Sequence, residues 1–224
     1  ESNLSKSVQE LAVLGLPVSS QPLDVTDEHG WQVVMDQIIE NYGSLDILLN
    51  NAGVFAPGFL KDQDIEAYQR IMDINVNGVF LGCKSAILTM RSNAGGEPPR
   101  GSIINLSSIG GQRAIKNYGA YCTSKAAVAN LTKALAIECA EKREFIRVNS
   151  IHPGSTKTNM TESLYGKEYF DDKKNYDSVP LADHGVPDDI AEAVVYLGSD
   201  EARMVTGSEL TIDGGHTLSL AGRS

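Results

Sequence analysis

The chain has 224 residues, 42% of them hydrophobic and 21% charged, and 19 Lys+Arg against 29 Asp+Glu give a formal net charge of −10. That length is enough to bury one large core, and the acidic balance argues against a sequence-independent nucleic-acid binder, which carries a surplus of positive charge. Three cysteines are too few and oddly numbered for a disulfide framework and suit a reducing, cytoplasmic compartment, while no apolar run reaches the roughly 18 residues of a membrane span and no signal pattern opens the chain.

Glu1 to Gln9 reads as a helix that starts without a leading strand. Pro17 to Val25 reads as an extended strand, after which Thr26 is placed to cap a helix carrying Trp31, Val34, Met35, Ile38 and Ile39 at helical spacing. That helix ends near Asn41-Tyr42-Gly43. The apolar run Leu45–Leu49 is a buried strand broken by Asn50-Asn51-Ala52-Gly53, and a long helix covers Ile65 to Met90. Asn93 to Gly101, rich in Gly and Pro, is a loop. Then come a strand over Ser102–Leu106, a helix over Tyr121–Ala140, and a strand over Phe145–Ile151 stopped by Pro153-Gly154. Ser155 to Gly185 is polar and irregular. Pro187 suits a helical first turn before Asp188–Leu197, and Glu209–Ile212 is a last short strand ending at Asp213-Gly214-Gly215. Alternating strands and helices predict one α/β domain, a parallel sheet with helices on both faces.

Ligands of such sheets bind at the carboxyl ends of the strands, where this chain places Asp24-Val25, Asn51-Ala52-Gly53, Ser107-Ser108 and Pro153-Gly154. Tyr121 and Lys125 stand four residues apart on one helical face, and an ammonium beside a phenol favours the phenolate. Tyr121 is thus a candidate acid/base. Tyr169 and Lys173 repeat the spacing in a highly charged segment, where a solvated surface explains them. What separates Tyr121 from this decoy is its company: Ser108 directly after a strand, and Asn75 inside a long helix, where an amide marks a job or a break. His29, His152, His184 and His216 show no ligand spacing, so no metal site is expected.

Asn51-Ala52-Gly53, Asn75 in Asn-Val-Asn-Gly, Ser108, Tyr121-x-x-x-Lys125, Pro153-Gly154 and Asp213-Gly214-Gly215 together resemble the short-chain dehydrogenase/reductases, in order and spacing from about Asp24 to Gly215. The look is that of bacterial secondary-alcohol and hydroxysteroid dehydrogenases. The resemblance implies a doubly wound, Rossmann-type fold and hydride transfer between NAD or NADP and a secondary alcohol or ketone. It assigns Tyr121 to proton transfer, Ser108 to the substrate oxygen, Lys125 to the nicotinamide ribose and the tyrosine pKa, and Asn75 to a water beside Lys125. Asp24 and Val25 would meet the adenine, and Asn51, Ala52 and Gly53 the adenosine ribose. Thr158 would hold the nicotinamide carboxamide, with Pro153, Gly154 and the Thr156 backbone beside it. Simpler readings stand next to these: Asp24 as a helix cap, Asn50 and Asn51 as ties between strand ends, Pro153-Gly154 as a turn.

One family element is missing: no Thr-Gly-x-x-x-Gly-x-Gly turn occurs to take the cofactor pyrophosphate. The expectation is that an N-terminal strand-helix-strand precedes this sequence in the natural protein. The residue that chooses NAD or NADP would stand there, unless Glu1 lies just after it. Competing classes are a catalytically idle cofactor sensor or scaffold and a non-redox relative such as a dehalogenase. Residues 155–185, with Tyr165, Tyr169, Phe170 and Tyr176, are expected to cover a bulky apolar substrate, a surface loop with incidental aromatics being the alternative, and the alanine-rich Tyr121–Ala140 helix to pack against a copy of itself in a dimer or tetramer.

Overall fold

The computed structural model describes residues 2–92, 95 and 97–218. Four strands, β1 (Ile47–Asn50), β2 (Arg100–Leu106), β3 (Phe145–Pro153) and β4 (Glu209–Ile212), form a parallel sheet in the order β1-β2-β3-β4. The connections are helical: α3 (Ile65–Met72) and α4 (Gly78–Ser92) lead from β1 to β2, α5 (Gly119–Glu141) leads to β3, and α6 (Asn159–Tyr165) with α7 (Pro187–Gly198) leads to β4. α1 (Ser2–Val13) and α2 (Glu28–Tyr42) come first. Glu1 lies outside the described residues, as does part of the expected Asn93–Gly101 loop.

Strand alternation sorts the core into two layers. Ile103, Ile146 and Val148 face one side, against Trp31 and Met35 of α2, Cys83 and Met90 of α4, and Val128 and Cys139 of α5. Ile104 and Ile151 face the other, against Ala193 and Leu197 of α7. Each large apolar side chain buried this way contributes about 1.5–3 kcal/mol. The continuous run Ile65–Ser92 is long and apolar enough, at mean hydropathy 1.2, to cross a membrane by length and composition alone. Here Val79, Cys83, Ala86 and Met90 of that run are buried in the core.

Two expectations are corrected. Pro17–Val25 is not a strand: among the described residues it pairs with nothing, and only Leu23 and Val25 pack against the core. A strand needs a ladder partner for its backbone groups, and β1, the first strand of the sheet, pairs along β2. The cap of α2 is Asp27, whose carboxylate accepts from His29 N at 3.0 Å, while Thr26 Oγ1 donates to Asp24 instead.

The expected long helix over 65–90 is present but interrupted. Asp73–Asn77 forms a π turn between α3 and α4, with Asn75 fully buried inside it. Single π turns inside helices commonly sit at functional sites.

Candidate active site

The carboxyl end of β2 is where the expected residues converge. Leu106 closes the strand, Ser107 N continues the ladder to Ile151 O at 2.8 Å, and Ser108 follows in extended backbone. Helix α5 then runs back across the sheet. Lys125 grips the strand end twice: its Nζ donates to Leu106 O at 2.8 Å, and its own carbonyl accepts from Ser107 Oγ at 2.8 Å. Gly111 permits this close approach, since a Cβ there would stand 2.7 Å from the Lys125 carbonyl oxygen.

Tyr121 stands one turn before Lys125, and the Ser108 side chain favours its phenolate. Ser108 Oγ accepts from Gly110 N at 3.0 Å, which leaves its own proton available for donation. The Lys125 ammonium lies 5.7 Å from the Tyr121 ring centroid. The electrostatics differ from the expectation. Burial raises Tyr121 above the ordinary phenol value, with the Ser108 side chain pulling the other way. Burial also lowers Lys125, to about 8. Desolvation of both groups outweighs the favourable charge that spacing alone predicts.

Asn75 reaches the same site from the π turn. Its Nδ2 donates to Val54 O at 2.8 Å and to Ser124 Oγ at 3.0 Å, and its Oδ1 accepts from Val54 N at 2.8 Å. It therefore binds the loop after β1 to α5. A Cβ on Gly53 would lie 3.4 Å from Asn75 Oδ1 and 3.5 Å from Lys125 Nζ. Both polar atoms thus border the narrow space beside Gly53.

The other expected residues divide. Asn51 and Ala52 are exposed at the end of β1, whereas Asn50 is buried and donates to Asn105 Oδ1 at 2.8 Å, the strand tie considered for the pair. Asp24 is occupied locally: its Oδ1 accepts from Thr26 N and Oγ1 at 2.9 and 2.8 Å, which holds its carboxyl below the usual value. Val25 lies against Gly78 and with Trp31, Asn50, Asn51 and Ala52 lines a small cavity of about 60 Å³. Gly154 sits where any Cβ would stand 2.8 Å from Asp213 Cα, so the turns after β3 and β4 abut. Thr156 is buried, and Thr158 caps α6 through a reciprocal pair with Thr161. Thr158 is thereby engaged within its own helix.

Residues 155–185 are not structureless. They contain α6 and two short 3₁₀ turns around Phe170, Tyr176 and Val179, with Tyr165 stacked on Tyr169 at 4.8 Å. Tyr165 Oη lies 2.8 Å from Tyr118 Oη, tying this segment to the start of α5. Phe55 and Tyr118 flank the Tyr121 ring, with centroids 6.2 and 6.4 Å away. Sequence reasoning missed Phe55, Tyr118 and Asn117. The available signal was Asn117, a residue that tolerates the left-handed backbone it adopts at φ 69°.

The family model described as enoyl-(acyl carrier protein) reductase matches residues 1–217. The trans-4-hydroxycyclohexanecarboxylate dehydrogenase of Sinomonas cyclohexanicum is 40% identical over 195 residues, 87% of this chain and 69% of that protein. The chain belongs to the short-chain dehydrogenase/reductase family. This short-chain dehydrogenase/reductase is also similar to the NADP-dependent (R)-specific alcohol dehydrogenase of Lentilactobacillus kefiri, at 37% identity over 87% of this chain and 75% of that one. A solved short-chain type dehydrogenase/reductase from Mycobacterium marinum matches with a TM-score of 0.85 at 34% identity, covering 94% of this chain and 80% of that one.

NAD(P) is the cofactor that this family implies. The donor set fits part of it: Lys125 is a buried cation whose hydrogen bond within the protein is to Leu106 O, and Asn51, Ala52 and Gly53 leave a polar, low-relief surface beside the Val25 cavity. These suit the two ribose ends. No glycine-rich turn for the pyrophosphate occurs in these 224 residues.

Proposed function

We propose that this chain moves a hydride between NAD or NADP and a secondary alcohol or ketone, with Tyr121 as acid/base. The observation that carries the reading is the grouping of Ser108, directly after β2, with Tyr121 and Lys125 one turn apart on α5, the Lys125 ammonium 5.7 Å from the tyrosine ring. Grouped in this way, the serine and tyrosine hydroxyls would both reach one substrate oxygen.

The cofactor, when bound, supplies or accepts the hydride. The chain supplies position and protons. Ser108, its Oγ already accepting from Gly110, donates to the substrate oxygen and fixes its place. Tyr121 gives its proton to that oxygen in reduction and removes it in oxidation. A tyrosine raised by burial stays protonated at neutral pH, which favours the reducing direction. Lys125 would hold the nicotinamide ribose and set a positive charge beside the phenol. Asn75 locks the loop after β1 against α5 and lines the space next to Lys125. Asn51, Ala52 and Gly53 would meet the adenosine ribose, Val25 the adenine, and Thr156 and Thr158 the nicotinamide side.

Phe55, Tyr118 and Tyr165 form an aromatic wall beside Tyr121, which supports a bulky apolar substrate under a 155–185 cover. Exposed Ala126, Ala134 and Ile137 on α5, with Phe80 and Leu88 on α4, support packing against a second copy. Three free cysteines, two of them buried, fit the reducing, cytoplasmic setting.

The test is oxidation of NADH and NADPH, side by side, with aryl, alicyclic and steroidal ketones, for the parent and Tyr121→Phe. Turnover by the parent and a loss on the order of 10²–10⁴ in the variant are expected. Full retention in Tyr121→Phe would reject the acid/base role. An inert parent that still binds the cofactor would favour the sensor reading, and one that does not bind it the non-redox relative.

A further inference from the structure

His152 is fully buried on β3, one residue before Pro153-Gly154, and none of the roles assigned above uses it. Its Nδ1 lies 3.0 Å from the carbonyl oxygen of Ser108. A carbonyl can only accept, so Nδ1 carries the hydrogen and donates it. In the neutral ring Nε2 is then an acceptor, and Ser150 Oγ, 2.9 Å away, is its donor. Glu209 Oε2 stands 3.9 Å from Nε2, and the Glu209 carboxylate is held by Lys133 and by Gln112 Nε2 at 3.1 Å. Gln112 Nε2 also donates to Thr211 Oγ1 at 3.0 Å. The loop that carries Ser108 is therefore fastened from two strands, to β3 through His152 and to β4 through Gln112. Burial keeps His152 below the ordinary imidazole value, opposed by the Ser108 carbonyl and Glu209 and reinforced by Lys133 and Lys125.

Among the described residues the Ser108 carbonyl has one other donor, Gly111 N at 2.9 Å. Together the two donors fix the plane of the Ser108–Ile109 peptide. That plane sets where Gly110 N lies, and Gly110 N in turn orients Ser108 Oγ. We infer that His152 is a positioning residue for the reaction: its Nδ1–H holds the Ser108 carbonyl so that the serine hydroxyl meets the substrate oxygen beside Tyr121. Gly111 N alone leaves the peptide free to rock about one bond. A misplacement of about 1 Å at a reacting centre costs up to the order of 100-fold in rate.

The inference rests on the reading of Ser108 as the donor to the substrate oxygen. Three variants test it. In His152→Asn the side-chain amide nitrogen falls where Nδ1 was, in His152→Gln it falls where Nε2 was, and His152→Leu has neither. The expected result is a kcat within about threefold of the parent for Asn, and a fall on the order of 10- to 100-fold for Gln and Leu with the cofactor KM unchanged. Equal losses in all three, or full kcat in Gln and Leu, would overturn it as mere packing. Nitrogen NMR of the parent needs no substitution: the Nδ1–H tautomer is expected at His152, and the Nε2–H tautomer overturns the inference even where variants fail to fold. An inert parent overturns the dehydrogenase reading, whereas an active parent with equal Asn and Gln variants overturns this inference alone.

Discussion

Lys125 Nζ donates to the carbonyl oxygen of Leu106 at 2.8 Å, joining α5 to the last residue of β2 through a buried cation. A desolvated ammonium is costly, and this one stands at about 8 against an ordinary 10.5. The cost is a stability statement as well as a catalytic one. A chain that keeps it sets the site ahead of the core.

Between pH 8 and 10.5 the unfolded chain binds more protons at Lys125 than the folded one, so stability rises with pH across that window. Below pH 8 both states are protonated and the full cost remains, on the order of 3 kcal/mol. Lys125→Met removes it, offset by about 1–3 kcal/mol for the unpaired Leu106 carbonyl. Urea unfolding near pH 7 and near pH 9.5 should show the parent gaining about 2 kcal/mol on the variant at the higher pH. A difference that stays constant would show that the ammonium is not desolvated.

Tyr121 is raised by burial, so the two directions should respond oppositely to pH. Ketone reduction, which needs the protonated phenol, should be flat through neutral pH and fall only in the alkaline range. Alcohol oxidation, which needs the phenolate, should still climb above pH 9. Rate profiles in both directions on one substrate pair check this, and an oxidation plateau at neutral pH would contradict it.

Gly111→Ala should damage the site through packing. Its Cβ would meet the Lys125 carbonyl oxygen at 2.7 Å and Ser107 Oγ at 2.8 Å, both of which are fixed by hydrogen bonds. Overpacking of this kind costs about 1–3 kcal/mol. Thermal unfolding should show the loss, and kcat should fall as the Ser108 loop moves off α5. Gly119→Ala, where a Cβ has nothing within 4 Å, is the control.

Tyr165→Phe removes the hydroxyl contact to Tyr118 that ties residues 155–185 to the start of α5. The stacked ring on Tyr169 is kept, so the fold should hold. The substrate KM is expected to rise several-fold while the cofactor KM stays put. Equal changes in both constants would mean that the segment covers the cofactor rather than the substrate.

Much of the candidate site was legible because its residues follow strand ends or share a helix face. Ser108, Tyr121 and Lys125 needed only the end of one strand and a four-residue spacing, and Asn75 marked a job or a break because an amide is a poor helix former, the structure making it a π turn. Phe55, Tyr118 and His152 were not legible in the same way. A half-buried aromatic or a buried histidine carries no spacing signal, and each takes its role from a neighbour on another element: Tyr118 from Tyr165, His152 from Ser108. The charge argument for Tyr121 went astray for a related reason, since helix spacing reports proximity but not desolvation.

The sequence by itself determined the alternation of strand and helix, the order of the motifs and hence the family, because hydrophobic period and turn chemistry are local properties. Only the tertiary structure decided that Pro17–Val25 pairs with no strand, that Asn50 bonds Asn105 while Asn51 stays exposed, and that burial lifts Tyr121. Those outcomes depend on which groups meet across the sheet, as Gln112 meets Thr211 from 99 residues away. Solvent exclusion and long-range hydrogen bonding exist only once the chain has closed on itself.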